Sequence, residues 1–199
     1  VNSLNGVNVA HSLYTLAVSE RELAFEDLDV YVTNSYLHLK TFETTQKVRE
    51  DAMSFVNKLK GRRVTPKLSS EELEELSKNG EEIKYNSVAQ LGYDSRVENF
   101  DRFVTLFASI EGYAPNEAAF SIEGLKEKLQ FLRTKNEKVR QTRANLSNAR
   151  KLRDDVLYEP EIGLVDVMIA VRAYVRAVFG LNSHEFKQIK NLKFSNKKN

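Results

Sequence analysis

The 199-residue chain has no cysteine, three prolines and eight glycines. Without cysteine there is neither a disulfide framework nor a thiolate metal site, and the redox compartment stays open. So few prolines and glycines cannot serve the many tight turns of a sandwich or barrel. β-branched runs are also scarce, which leaves helix as the prevailing state. No apolar run reaches the roughly 18 residues of a membrane-spanning helix. Catalytic signatures are missing as well: there is no HExxH pair, no GxSxG elbow and no phosphate-binding glycine loop.

The titratable residues that remain read as structural. Of the histidines His11, His38 and His184, none stands in a Glu-x-x-His pair, so a di-iron carboxylate site lacks its ligands. His38 lies among Tyr36, Leu37 and Leu39 and reads as a satisfied or partly exposed side chain. His184 comes after the helix cap Ser183 and reads as a first-turn surface residue. Asp154 and Asp155 are adjacent on a helix, about 100° apart, so they cannot act together as acid and base. They are expected instead to form i,i+4 surface pairs with Arg150 and Lys151. The chain is read as non-enzymatic, with no catalytic, cofactor-binding or metal-ligating residue and no cofactor assigned.

What the sequence does contain is helix. Ser121 to Glu159 runs 39 residues with one glycine, Gly124, in its first turn, and no proline. As one helix it would span about 55–60 Å. Its seam begins Ile122, Leu125, Leu129, Leu132 and then meets Asn136 and Arg143. Those two either specify register, as buried polar residues can, or mark a stretch projecting beyond its partners; the second reading is preferred. Pro160 and Gly163 end the helix. Leu164 to Phe179 comes next, apolar nearly all round and therefore expected to be buried on more than one side. Tyr158 and Tyr174 are expected to anchor the corner between these two helices.

The other elements are read from periodicity and caps. Val9, Leu13, Leu16 and Leu23 mark a first helix, with a change of face expected near Glu26-Asp27. A further helix over 44–59 ends at Gly61 as its C-cap. Ser69 with Glu72, and Ser95 with Glu98, read as capping boxes. The second opens an amphipathic helix over 95–111 carrying Phe100, Phe103 and Phe107, with Gly112 as its stop. The chain is thus divided into an N-terminal helical segment (1–61), a linker with a short helix (62–94), a C-terminal helical bundle (95–194) and a basic tail (195–199). The fold class is all-α: an antiparallel helical bundle with one very long helix. The order of helices in the two halves suggests two related repeats, the first of them truncated at Val1, which would make the chain a piece of a longer protein.

Charge is uneven. Residues 1–60 and 61–120 carry net −2 and −4, whereas 121–199 carry 17 basic and 9 acidic side chains, net +8. The plain reading is a solvated helix surface; the sharper one is contact with an anionic polymer such as nucleic acid. Arg62 and Arg63 with Lys58, Lys60 and Lys67 form the densest basic cluster and read as a solvated helix end.

Several segments resemble a known family: Tyr113-Ala114-Pro115-Asn116-Glu117, Leu146-Ser147-Asn148-Ala149-Arg150, Gly163-Leu164-Val165-Asp166, and Phe186-Lys187-Gln188-Ile189 with Leu192-Lys193-Phe194. They resemble a family of all-helical bacterial proteins found mainly in Bacteroidota, well over residues 85–194 and loosely over 1–62. The resemblance implies helical repeats and no activity or site residue. Function is expected to be that of a structural or interaction protein, holding a protein partner or another copy of itself. An anionic-polymer binder is the alternative and an enzyme without a recognisable motif the third. A cytoplasmic location is expected.

Overall fold

The computed structural model describes residues 2–62 and 91–195. The Ser69–Glu72 capping box and its short helix, Arg63, Lys67 and the end of the basic tail lie outside these residues. The protein is all-α, with no strand among the described residues. Its helices are α1 (Asn2–Glu26), α2 (Leu28–Leu39), α3 (Gln46–Leu59), α4 (Tyr93–Ala108), α5 (Ile122–Tyr158), α6 (Leu164–Phe179) and α7 (His184–Ile189). A 3-10 turn, Ala118–Phe120, precedes α5. Packing sorts the chain into a continuous unit, residues 18–138, and a split unit, residues 1–17 with 139–199. That division reflects spatial packing, and it cuts across the sequence-based one within α1 and α5.

In the continuous unit, α2 packs on α3 and α3 on α4. Leu28, Val32 and Leu39 of α2 share one core with Phe100, Phe103 and Phe107 of α4, all of them fully buried. α1 gives way to α2 at Asp27 alone, whose carbonyl accepts from both Val30 and Tyr31. Thr45 caps α3 by accepting from the Val48 N–H at 3.3 Å. The other end of α3 is a Schellman motif. Gly61 takes φ 65°, its N–H reaches the Lys58 carbonyl, and the Arg62 N–H reaches Asn57.

Two expectations are corrected here. α4 begins at Tyr93 with Gly92 at the N-cap, so Ser95 lies inside the helix and no Ser95–Glu98 capping box forms. Tertiary contacts extend the helix: Tyr93 packs edge-on against Phe25 at 4.9 Å, and Asp94 accepts from the Asn136 side-chain amide. Asn136 itself does not sit on a projecting stretch. It is 5% exposed and accepts from Arg21 Nη1 at 3.2 Å, so the register reading holds at this position. Arg143 is exposed.

The start of α5 is fixed by an unusual constraint. Ser121 accepts from the Gly124 N–H at 3.1 Å, an N-cap bond. The 3-10 turn then lies so close that a Cβ on Gly124 would stand 2.2 Å from the Ala118 carbonyl oxygen. Tyr31 donates to the Ala119 carbonyl, and Tyr113 to that of Phe120 at 2.9 Å. The His38 ring stacks on Phe120 at 4.4 Å, with Nδ1 3.6 Å from Glu117. Burial pushes the Tyr31 hydroxyl up to about 12, aided by the Asp27 and Glu127 carboxylates, and burial does the same for Tyr113.

Two outcomes are expected. Gly124→Ala would gain about 1 kcal/mol from helix propensity alone. The clash outweighs this, so urea unfolding should show a net loss of about 2–3 kcal/mol; a gain would mean turn and helix are not apposed. The folded phenols also keep their protons where unfolded tyrosines, titrating near 10, lose them. Stability is therefore full below pH 10 and falls between pH 10 and about 12. A Tyr31→Phe, Tyr113→Phe double variant should be less stable at neutral pH and show a flatter alkaline decline, measured by unfolding at stepped pH.

Candidate functional site

Four basic residues in the first half of α5 are engaged within the continuous unit. Lys128 pairs with Asp27 at 2.7 Å, Arg133 with Asp101 at 2.8 Å and Lys135 with Glu20 at 2.9 Å; Lys138 reaches Glu20 at 3.4 Å. Hydrogen bonds from Lys135 and Lys138 hold the Glu20 carboxyl below its ordinary range. The charge asymmetry in the sequence is thus partly an internal match: carboxylates of α1, α4 and the α1–α2 junction face basic α5. Lys60, from the basic cluster, donates to Thr33 Oγ1 at 3.0 Å.

A shallow groove of about 560 Å3 in this unit is lined by Glu22, Leu23, Phe25, Glu26 and Arg96. Its arginine is already bonded to Asp29 at 2.5 Å. Among the described residues no cluster of three His, Asp or Glu side chains could hold a metal ion, and no helix is long and apolar enough to cross a membrane. His38 stands against Phe120 and Glu117, and His184 Nε2 lies 2.9 Å from the Gln188 amide, four residues on. Asp154 accepts two bonds from its neighbour Arg153, at 2.9 and 2.6 Å.

The split unit is the opposite case. Its small core holds Val7, Ala17, Val139, Leu146 and Phe186. α6 packs on α7, whose end is tied to it by Arg172 donating to the carbonyls of Lys190 at 2.8 Å and Leu192 at 3.2 Å. Yet α6 has no buried residue, which corrects the expectation that it is covered on more than one side. Leu164, Val167, Val171, Tyr174 and Val178 are all exposed. They recur at three and four residues and so share one face, with the spacing of a coiled-coil seam. From Leu164 to Val178 this face is about 21 Å long. Ala170 and Ala177 adjoin it, and no charged residue interrupts it. Of the two tyrosines expected to anchor this corner, Tyr174 is 66% exposed and Tyr158 is half-buried.

The turn into α6 is tight for a steric reason: a Cβ on Gly163 would meet the Glu159 carbonyl oxygen at 2.6 Å. Glu161 adopts φ 69°, and its N–H donates to Asp166 at 3.0 Å. Ile162, at the tip, is 77% exposed.

α1 adds a second exposed face to this unit. Val9, Leu13 and Leu16 stand out from it at four- and three-residue spacing. Between α1 and α5 runs a groove of about 350 Å3, lined by Asn5, Val9, Ala10 and Leu13 on one side and Thr142 and Asn145 on the other. No Lys, Arg, Asp or Glu occurs from Val1 to Ser19. No family model, curated protein or solved structure matches the chain.

In the sequence these faces are apolar stripes, and nothing in a stripe distinguishes a surface from a core. The available signal was one of supply. Once α4 closes over α2 and α3, the α1 stripe of Val9, Leu13 and Leu16 remains, and it too is exposed, so no described helix covers this face of α6. If the α6 face is uncovered in the single chain, Val171→Lys should change stability in dilute solution by less than about 0.5 kcal/mol. Phe103→Ala, in the continuous unit, should cost about 3–5 kcal/mol. Urea unfolding of both variants tests the contrast, and a cost above about 2 kcal/mol for Val171→Lys would mean the face is buried.

Proposed function

We propose that this is a non-enzymatic helical interaction protein, and that the apolar face of α6 is the surface that holds its partner. One observation carries the reading: five apolar side chains at seam spacing, all exposed, on a helix with no buried residue. Apolar surface of this extent on a single stripe is a mark of association in soluble proteins. A seam of 3-4 spacing is the form in which one helix receives another. The family resemblance, which implies helical repeats, fits the same reading, because stacked helical hairpins bury their apolar faces against neighbours. We read α2–α3 and α6–α7 as related hairpins on this basis, each pair ending in a helix capped by a threonine or serine hydroxyl.

Binding of an anionic polymer is the weaker reading. Four of the basic residues of α5 are already paired with carboxylates, and attraction to phosphate would have to break those pairs or rely on the remaining cations.

A photo-reactive residue at Tyr174, introduced in cells expressing the full chain, should give discrete cross-linked species that vanish with Val171→Glu. Absence of any Val171-dependent species would overturn the interaction reading. Binding to duplex DNA or single-stranded RNA that falls steeply between low and moderate salt would favour the polymer reading instead.

A further inference from the structure

The polar face of α3 is not left to water. Arg49, Glu50, Met53, Ser54 and Asn57 recur at three and four residues, so they share one face of the helix. Such a face ordinarily stands clear of its neighbours. Here Tyr36 of α2 and its C-cap Lys40 stand beside it, and together they line a groove of about 460 Å3. Arg49, Met53, Ser54 and Asn57 are half-buried as a result. Both helices belong to the continuous unit, so the groove is separate from the α6 face and owes nothing to the reading of that face.

The polar groups of the groove are positioned but unmatched. Arg49 donates from Nε to the Thr44 hydroxyl and from Nη2 to the Thr44 carbonyl, each at 3.0 Å. Those bonds fix the guanidinium plane and leave its other edge, Nη1 beside Nη2, without a bond from Nη1 to any described residue. Two N–H groups side by side on such an edge match two oxygens of a phosphate or carboxylate. Lys40 Nζ lies 5.1 Å from the Tyr36 ring centre and makes no ion pair among the described residues. Tyr36 is only 7% exposed, yet its hydroxyl bonds to no described residue. Thr33 and Ser35 turn their hydroxyls onto carbonyls four residues back, whereas Ser54 makes no such bond. The groove's carboxylate, Glu50, already accepts from the Gln46 amide at 2.9 Å. Folding has removed part of the water from these groups without pairing them, so a ligand that bonds to them displaces little more.

We propose that this groove binds a small ligand carrying an oxyanion at one end and hydroxyl groups beyond it. Arg49 and Lys40 take the oxyanion, a phosphate or a carboxylate. Ser54 and Asn57, up to about 12 Å further along α3, take the hydroxyls.

The test is an amide-resolved NMR titration of the full chain at fixed ionic strength. Ribose 5-phosphate and gluconate supply the two oxyanions with hydroxyls attached, and ribose supplies hydroxyls alone. At least one of the two anions should shift the amides of residues 49–57 saturably, and the tighter one identifies the headgroup. Ribose should shift them far less. Arg49→Lys keeps the charge but loses the two-pronged edge and should weaken binding at least tenfold. Lys40→Gln, at an exposed position where the fold is not at stake, should weaken it severalfold. Lys47→Gln removes a cation of α3 that is 79% exposed and outside the groove, and should leave binding unchanged. Absence of binding by both anions would overturn the site. So would equal losses from Lys47→Gln and Lys40→Gln, which would mean general attraction to positive charge.

Discussion

The register of the continuous unit depends on one buried amide. Asn136 takes a hydrogen bond from Arg21 on α1 and gives one to Asp94 on α4. Three helices are fixed against each other by a side chain that an apolar seam would have left free to slide. The cost is considerable. Arg21 Nε is buried with no hydrogen-bond partner, and part of its compensation is the Tyr93 ring, 3.8 Å from the guanidinium. Leucine at position 136 would pack at least as well, yet it would leave the half-buried Arg21 and the exposed Asp94 without their shared partner. The cost falls chiefly on the guanidinium, which would lose a hydrogen bond where water reaches it only in part. The ion pairs spread along α5 act in the same direction with less force, since they are exposed and screened.

Much of this architecture is legible in the sequence. The all-α class comes from the scarcity of proline and glycine, and α5 from 39 residues without proline. Ser121, Ser183 and Gly61 are each readable as helix ends, and each makes the bond its type implies. Ser95 fails because a capping box is a local rule, and the pull of Phe25 on Tyr93 is tertiary. Asn136 escapes for a related reason. A polar residue on a seam looks the same in sequence whether water or Arg21 satisfies it, and Arg21 lies 115 positions away. Gly124 reads as no more than a tolerated glycine, since nothing local announces that the Ala118 carbonyl stands where its side chain would be.

The larger surprise is that similar hydropathy gave opposite burial in the two units. α2 and α6 are both rich in aliphatic and aromatic side chains. Leu28, Val32 and Leu39 of α2 have no exposure at all, and no residue of α6 is buried. The difference lies in the neighbours each helix finds. α2 and α3 receive α4, whose phenylalanines complete the core, whereas no helix among the described residues plays that part for α6 and α7. Hydrophobicity states what a helix would gain from cover. Whether cover exists depends on other elements, and so the candidate surface is visible in the sequence as a stripe but not as a surface.

This contrast bears on how such a surface could be selective. In the continuous unit, charge and one buried amide remove alternative registers. The α6 face has neither, and an uninterrupted neutral seam is poorly specified, because aliphatic contacts change little when helices slip by one turn. Selectivity must then come from the few polar atoms that cannot be buried alone. On the face that is the Tyr174 hydroxyl. A covered phenol that misses its partner loses the hydrogen bond it had with water, so one register is preferred over its neighbours. The device is the one Asn136 already serves within the chain: a single polar group, placed in an apolar seam, that makes the wrong alignment costly.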